Sequence, residues 1–118
     1  MAETFDALGA VKQVLVKHML RQQVETDLAL IRRADLHLSR TYIDWLERIH
    51  ARLLTEIAEH KRALRRHRVR IINQQKNSLD FQIAYLERGY QVQHCFLLAT
   101  LQAEAHLLFA TYVEGGSR

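Results

Sequence analysis

Apolar residues in the first third of the chain recur at helical spacing. Leu8, Val11, Leu15 and Met19 step by three, four and four, and Leu20, Val24, Leu28 and Ile31 continue the pattern one residue over. The segment from about Thr4 to Leu38 therefore reads as helix. The shift beside Arg21-Gln22-Gln23 leaves two forms open, one long helix that drifts or two helices meeting near Glu25-Thr26.

A break falls near Ser39. Thr41-Tyr42-Ile43-Asp44 has a weak capping-box form, a hydroxyl followed three residues on by an acid. The helix it opens runs to about Arg66. Ile43, Leu46, His50, Leu53, Ile57, His60 and Leu64 form one seam stepping by three and four. Such a seam suits a hairpin with the first helix or a contact between copies. Asp44 with Arg48, and Arg52 with Glu56, fall four apart and are expected on the outer surface.

Past His67 the period changes to two. Arg68-Val69-Arg70-Ile71 alternates, as does Phe81-Gln82-Ile83-Ala84-Tyr85, and Asn73 to Ser78 between them is polar and turn-forming. This predicts a short β-hairpin, about 68–74 with 80–86. The competing form carries the second helix on to Gln74 and starts another at Asn77 or Ser78. Gly89 then marks entry into a last helix, about Tyr90 to Val113. Leu98, Leu101, Ala105, Leu108 and Tyr112 share one of its faces, with Phe96 and Phe109 widening it, and it stops before Gly115. The expected fold is mainly α: a three-helix antiparallel bundle in one domain, residues 1–118, with a short basic β-hairpin before the last helix. An all-α bundle is the alternative.

Composition narrows this further. The 118 residues are 48% hydrophobic and 25% charged, which suits a folded domain, and the absence of proline suits long helices. Cys95 has no partner for a disulfide and, inside an apolar run, is expected to behave as a small buried hydrophobe. The opening Met-Ala-Glu-Thr-Phe-Asp lacks a basic n-region, and Gln102, Glu104 and His106 interrupt the most apolar C-terminal stretch. A cytoplasmic protein outside the membrane is expected.

Charge is the uneven feature. Between His60 and Leu79 lie Lys61, Arg62, Arg65, Arg66, Arg68, Arg70 and Lys76 with no acidic residue; the other ten Lys and Arg share the rest of the chain with all thirteen acids. The macrodipole favours cations at a helix C-terminus, which accounts for two or three of the seven. The whole block suits a solvated helix end poorly. It suits phosphates, through release of counterions, or the acidic surface of a protein partner, including another copy. Gln74, Gln75 and Asn77 stand where they would reach base edges. Phe81, Tyr85 and Tyr90 follow the block, but aromatics at strand spacing belong more naturally to a core than to a stacking platform.

Chemistry other than binding finds little support. Glu47-Arg48-Ile49-His50 has the spacing of a carboxylate-bridged metal site, but the second copy such a site needs has Gln91 where the acid belongs, in Gln91-Val92-Gln93-His94. No metal and no cofactor is expected. His50 and His60 are better core-edge histidines. His94 and Cys95 are neighbours that would not face each other, and there is no phosphate loop or nucleophile elbow. No catalytic residue is assigned, and an enzyme is not expected.

Val69-Arg70-Ile71-Ile72 followed by Tyr85-Leu86-Glu87-Arg88-Gly89-Tyr90 resembles small helical proteins of spore-forming bacteria and their phages. In those a basic run precedes a Tyr-Leu-x-Arg-Gly-Tyr-like run and a final helix. The resemblance covers the C-terminal half and implies a cytosolic bacterial or phage protein. It carries over no activity. The reading that results is a binding protein whose basic block contacts nucleic acid or an acidic protein. Its rival is a structural or adaptor protein that forms a helical homo-oligomer through the seam around His50 and Ile57, the basic block then being only solvated surface.

Overall fold

The shift at Leu20 does not break the first helix. In the computed structural model, which describes residues 5–115, α1 runs unbroken over Ala7–Arg33. Val11, Val14, Leu15, Leu20, Val24 and Leu28 are all buried, so the helix simply rolls as its neighbours change. Asp6 caps it, its carboxylate accepting the Gly9 N–H at 2.9 Å. A Cβ on Gly9 would overlap that carboxylate, which accounts for an otherwise unwelcome glycine in the first turns. The expected start at Thr4 lies outside the described residues, and the expected end at Leu38 is five residues too late.

α2 spans Ser39–Arg66 and packs antiparallel beside α1. Thr41 lies inside it, so the expected capping box does not form. Ser39 organises the loop instead: its hydroxyl accepts from the Leu36 N–H at 3.3 Å and donates to the Ala34 carbonyl at 3.4 Å. The predicted seam faces inward, with Leu46, Leu53, Ile57 and Leu64 buried. Leu53 is fully buried, and truncating such a leucine costs about 2–5 kcal/mol.

The bundle with a two-stranded hairpin is overturned, and so is the all-α alternative. Three strands lie between the second and third helices: β1 (Val69–Lys76), β2 (Asp80–Glu87) and β3 (Tyr90–Leu97), antiparallel in the order β1-β2-β3. The region expected to begin the last helix is the third strand. Arg88-Gly89 is the reason. Both residues have positive φ, 52° and 88°, the pair of conformations that closes a two-residue hairpin. Gly89 therefore reverses the chain instead of opening a helix. Val92, His94 and Phe96 then alternate on the face shared with Tyr85, Ile83 and Phe81, their partners across β2. Cys95 falls on the opposite face and is exposed, against the expectation of a buried thiol. Ile72 is the extra residue of a bulge between Ile71 and Asn73.

α3 covers Leu98–Gly115, starting directly from β3 and held to the β1–β2 loop by the Leu98 N–H on the Leu79 carbonyl at 3.0 Å. It buries Leu101, Ala105 and Tyr112, packing chiefly against α1. The inward sheet face contributes Val69, Ile83, Tyr85 and Phe96 to the same core.

Glu56 ties the three helices together. Its Oε1 accepts from Lys17 Nζ of α1 at 3.0 Å and from the Tyr112 hydroxyl of α3, while its Oε2 accepts from Arg52 Nε at 3.0 Å. The Arg52 guanidinium also lies over the Tyr112 ring, 4.5 Å from its centroid. Lys17 is only 8% exposed and reaches His60 Nε2 at 2.8 Å as well. Burial, then the Lys17 charge, pushes the His60 pKa down, so a neutral ring accepts this bond. The Arg52–Glu56 pair expected on the outer surface is thus part of an interhelical hub. Burial raises the Glu56 pKa, but the hydrogen bonds from Tyr112, Lys17 and Arg52 outweigh it and bring the carboxyl from 4.5 down to about 2.

Two expectations follow. Glu56→Gln leaves the Lys17 charge buried without its anion and should lower stability by about 2–3 kcal/mol, read from the urea midpoint. Because the folded pKa lies below the unfolded one, the contribution of Glu56 is complete above pH 4.5 and fades as pH falls toward 2. Acid titration of the wild type should show that loss, and the Glu56→Gln variant should be flatter over the same interval.

Candidate functional site: a basic cleft where the helices meet the sheet

The end of α2 positions the basic block. His67 ends the helix and its ring stacks on Phe5 with centroids 3.9 Å apart. Arg68 follows at φ 58°, the left-handed position at which helices usually carry glycine. This residue turns the chain from helix into β1. Its carbonyl accepts the Arg88 N–H at 3.0 Å, so the α2–β1 turn and the β2–β3 turn are joined. Both contain an arginine in a conformation that costs an ordinary side chain about 1–2 kcal/mol.

Between α1, the end of α2 and β1 lies an open cleft of about 800 Å³. Lys61 and Arg65 line it from α2, Arg68 from the turn and Arg70 from β1. Leu64, Val69 and Ile71 line it from the core side, and Leu86 lines it from the opposite face of the sheet, where it pairs with Arg70. His18 faces it from α1, and burial followed by the Lys61 and Arg21 charges pushes its pKa down. A smaller notch of about 320 Å³ is formed by Arg66, His67, Arg68 and Arg88.

Five of the seven predicted cations are brought together in this way. Arg62 is exposed on α2 and lines neither cavity. Lys76 is six residues along β1 from Arg70, about 20 Å at strand rise, and lies instead beside Met19 and Gln22 of α1. Gln74 lines the large cleft, whereas Gln75 is bonded to Asn77. Arg88 and His18 were missed. The Arg-Gly pair between two alternating runs is the signal that would have placed Arg88 in a turn beside the block.

Among the described residues, none of the seven cations, nor Arg88, has a carboxylate within 4.0 Å. Lys12, Lys17, Arg21, Arg32 and Arg52 all do. The block sits at its positions without internal compensation.

The other candidates are placed as follows. Tyr85 is buried and Phe81 packs on the core, while Tyr90 is 78% exposed. His50 Nε2 meets Glu25 at 2.7 Å and Glu47 reaches Arg32 at 3.7 Å, so the two have separate partners on α1. No group of His, Cys, Asp and Glu suited to a metal occurs among the described residues. His94 and Cys95 lie on opposite faces of β3. No helix among the described residues is long and apolar enough to cross a membrane.

The class defined by these features is a two-helix hairpin bearing a three-stranded antiparallel sheet and a return helix, with a basic cleft at the junction. The family described as YhjD protein matches residues 2–117, and the chain belongs to that family. The match extends through both halves of the chain, beyond the C-terminal half that carried the resemblance. No curated protein and no solved structure matches the chain.

Replacing Arg68 or Arg88 by Asn, which tolerates the left-handed conformation, should stabilise the fold by about 1 kcal/mol each, measured from denaturant midpoints. A loss of stability in both would mean that their side chains contribute more to folding than their backbones cost.

Proposed function

We propose that the chain is a non-catalytic, cytoplasmic binding protein of bacterial or phage origin whose basic end contacts nucleic acid or an acidic protein partner. The observation that carries this reading is the gathering of Lys61, Arg65, Arg68 and Arg70 around one cleft with no carboxylate beside them. Four cations around one concavity repel one another, and an external anion relieves that repulsion. The left-handed Arg68 and Arg88 support it, since a strained residue persists where its side chain has a use.

The rival, a homo-oligomer built on the α2 seam with the block as mere solvated surface, has less surface to work with. Leu46, Leu53, Ile57 and Leu64 are already buried within one chain. Ile57→Asp therefore tests folding before it tests association.

Titration of the purified protein with short single- and double-stranded DNA and RNA, and with an acidic polypeptide such as polyglutamate, separates the readings. Binding at about 50 mM salt should weaken at least tenfold by about 200 mM. It should be lost when Arg65, Arg66, Arg68 and Arg70 are all replaced by Gln, with the thermal midpoint of the variant retained. Absence of binding to every polyanion at low salt would dismiss the basic end as a site.

A further inference from the structure

We infer that the solvent face of the sheet reads base edges in the major groove of duplex DNA, with the arginines at its end on the flanking phosphates. The inference rests on the reading above that these cations hold an anion, and it decides between the two partners left open there. Asn73, Ala84 and Gln93 form a cross-strand row on the face turned away from the helices, with Gln75, Gln82 and Cys95 in the row on one side of it. Arg70, Leu86 and Gln91 form the row on the other side. Five of the chain's eleven Asn and Gln stand in these rows, and all five are exposed. A sheet face that only meets water carries charged residues as readily as amides, yet Arg70 is the one charge in the three rows. The nearest acid on this face, Asp80, lies at the end away from Arg70 and accepts from Asn77 Nδ2 at 2.6 Å.

A carboxamide offers a donor and an acceptor together, which a carboxylate cannot match and the N6–H and N7 of adenine can. Ala84, small among long neighbours, lines a recess of about 360 Å³ with Asn73, Gln82, Gln93 and Cys95 of the same face. An alanine in that place suits the thymine methyl. Three strand backbones span about 10 Å, against a groove about 12 Å wide. The Arg70 row lies about 7 Å from the Ala84 row, and the turn beyond it joins Arg88 to Arg68 through a 3.0 Å backbone bond. Cations therefore stand one step beyond the amides. Phe81, Tyr85, Tyr90 and Phe96 all belong to the other face, so a single strand would find nothing here to stack on. The deep, narrow major groove of duplex RNA would keep the sheet out.

Fluorescence anisotropy with short labelled duplexes over a range of salt tests the proposal. An A·T-rich DNA duplex should bind about tenfold more tightly than a G·C-rich one, and more tightly than either strand alone or the same duplex as RNA. In Asn73→Ala/Gln93→Ala the preference should shrink to about twofold or less while the salt dependence is unchanged. In Arg68→Gln/Arg70→Gln affinity should fall for both duplexes alike, with a shallower salt dependence. All four side chains are exposed, and retained thermal midpoints would show that the fold is kept. Gln82→Ala/Gln93→Ala serves should the change at Asn73, beside the bulge, disturb the sheet. Equal affinity for the two DNA duplexes, a preference untouched by the amide variants, or tighter binding of single strands or RNA would overturn the proposal. If DNA and polyglutamate bind alike in a salt-dependent way and the amide variants match the wild type, the basic end stands as a site and the sheet face is rejected. If nothing binds, both readings fall.

Discussion

One carboxylate decides how the third helix returns to the other two. Glu56 stands between Lys17 of α1 and Tyr112 of α3, with Arg52 closing it from its own helix. A lysine as enclosed as Lys17 needs an anion within reach, and a tyrosine as buried as Tyr112 needs an acceptor for its hydroxyl. Glu56 serves both. Because α3 follows β3 with no intervening loop, fixing α3 against the hairpin also fixes the far end of β3, and through β2 the position of β1. The cleft is bounded by those same parts, so its shape depends on a contact made outside it.

Much of the architecture was legible because burial leaves a periodic trace. The α2 seam could be read residue by residue, and so could the alternation of β1 and β2, since each has one face toward a core. β3 escaped because its alternation is short: Tyr90-Gln91-Val92-Gln93 alternates, but Cys95 to Leu98 runs straight into the apolar start of α3. Taking Gly89 by itself suggested a helix start. Taken with Arg88, and with alternation on either side, it is a reversal. Glu56 was illegible for another reason. Its spacing from Arg52 is that of an ordinary surface pair, and nothing local reveals that Tyr112, fifty-six residues on, needs its oxygen.

The candidate site divides along similar lines. Charge counts survive in sequence, so the block was visible without any fold. Which charges meet depends on two tight turns, and those separated Lys76 from the rest and added Arg88. A left-handed arginine has no sequence signature, because the position it fills is ordinarily glycine.

The two outer strands of the sheet differ in a way that bears on association. β1 is bulged at Ile72 and carries Arg70 and Lys76, features that make a free strand a poor template for another chain. β3 is eight residues long, pairs with β2 in unbroken register and contains no charged residue and no proline. Its outer backbone groups meet no such deterrent. Backbone-mediated recruitment of a further strand would therefore lengthen the sheet in one direction only, away from the arginines, and leave the cleft beside β1 open in any such assembly.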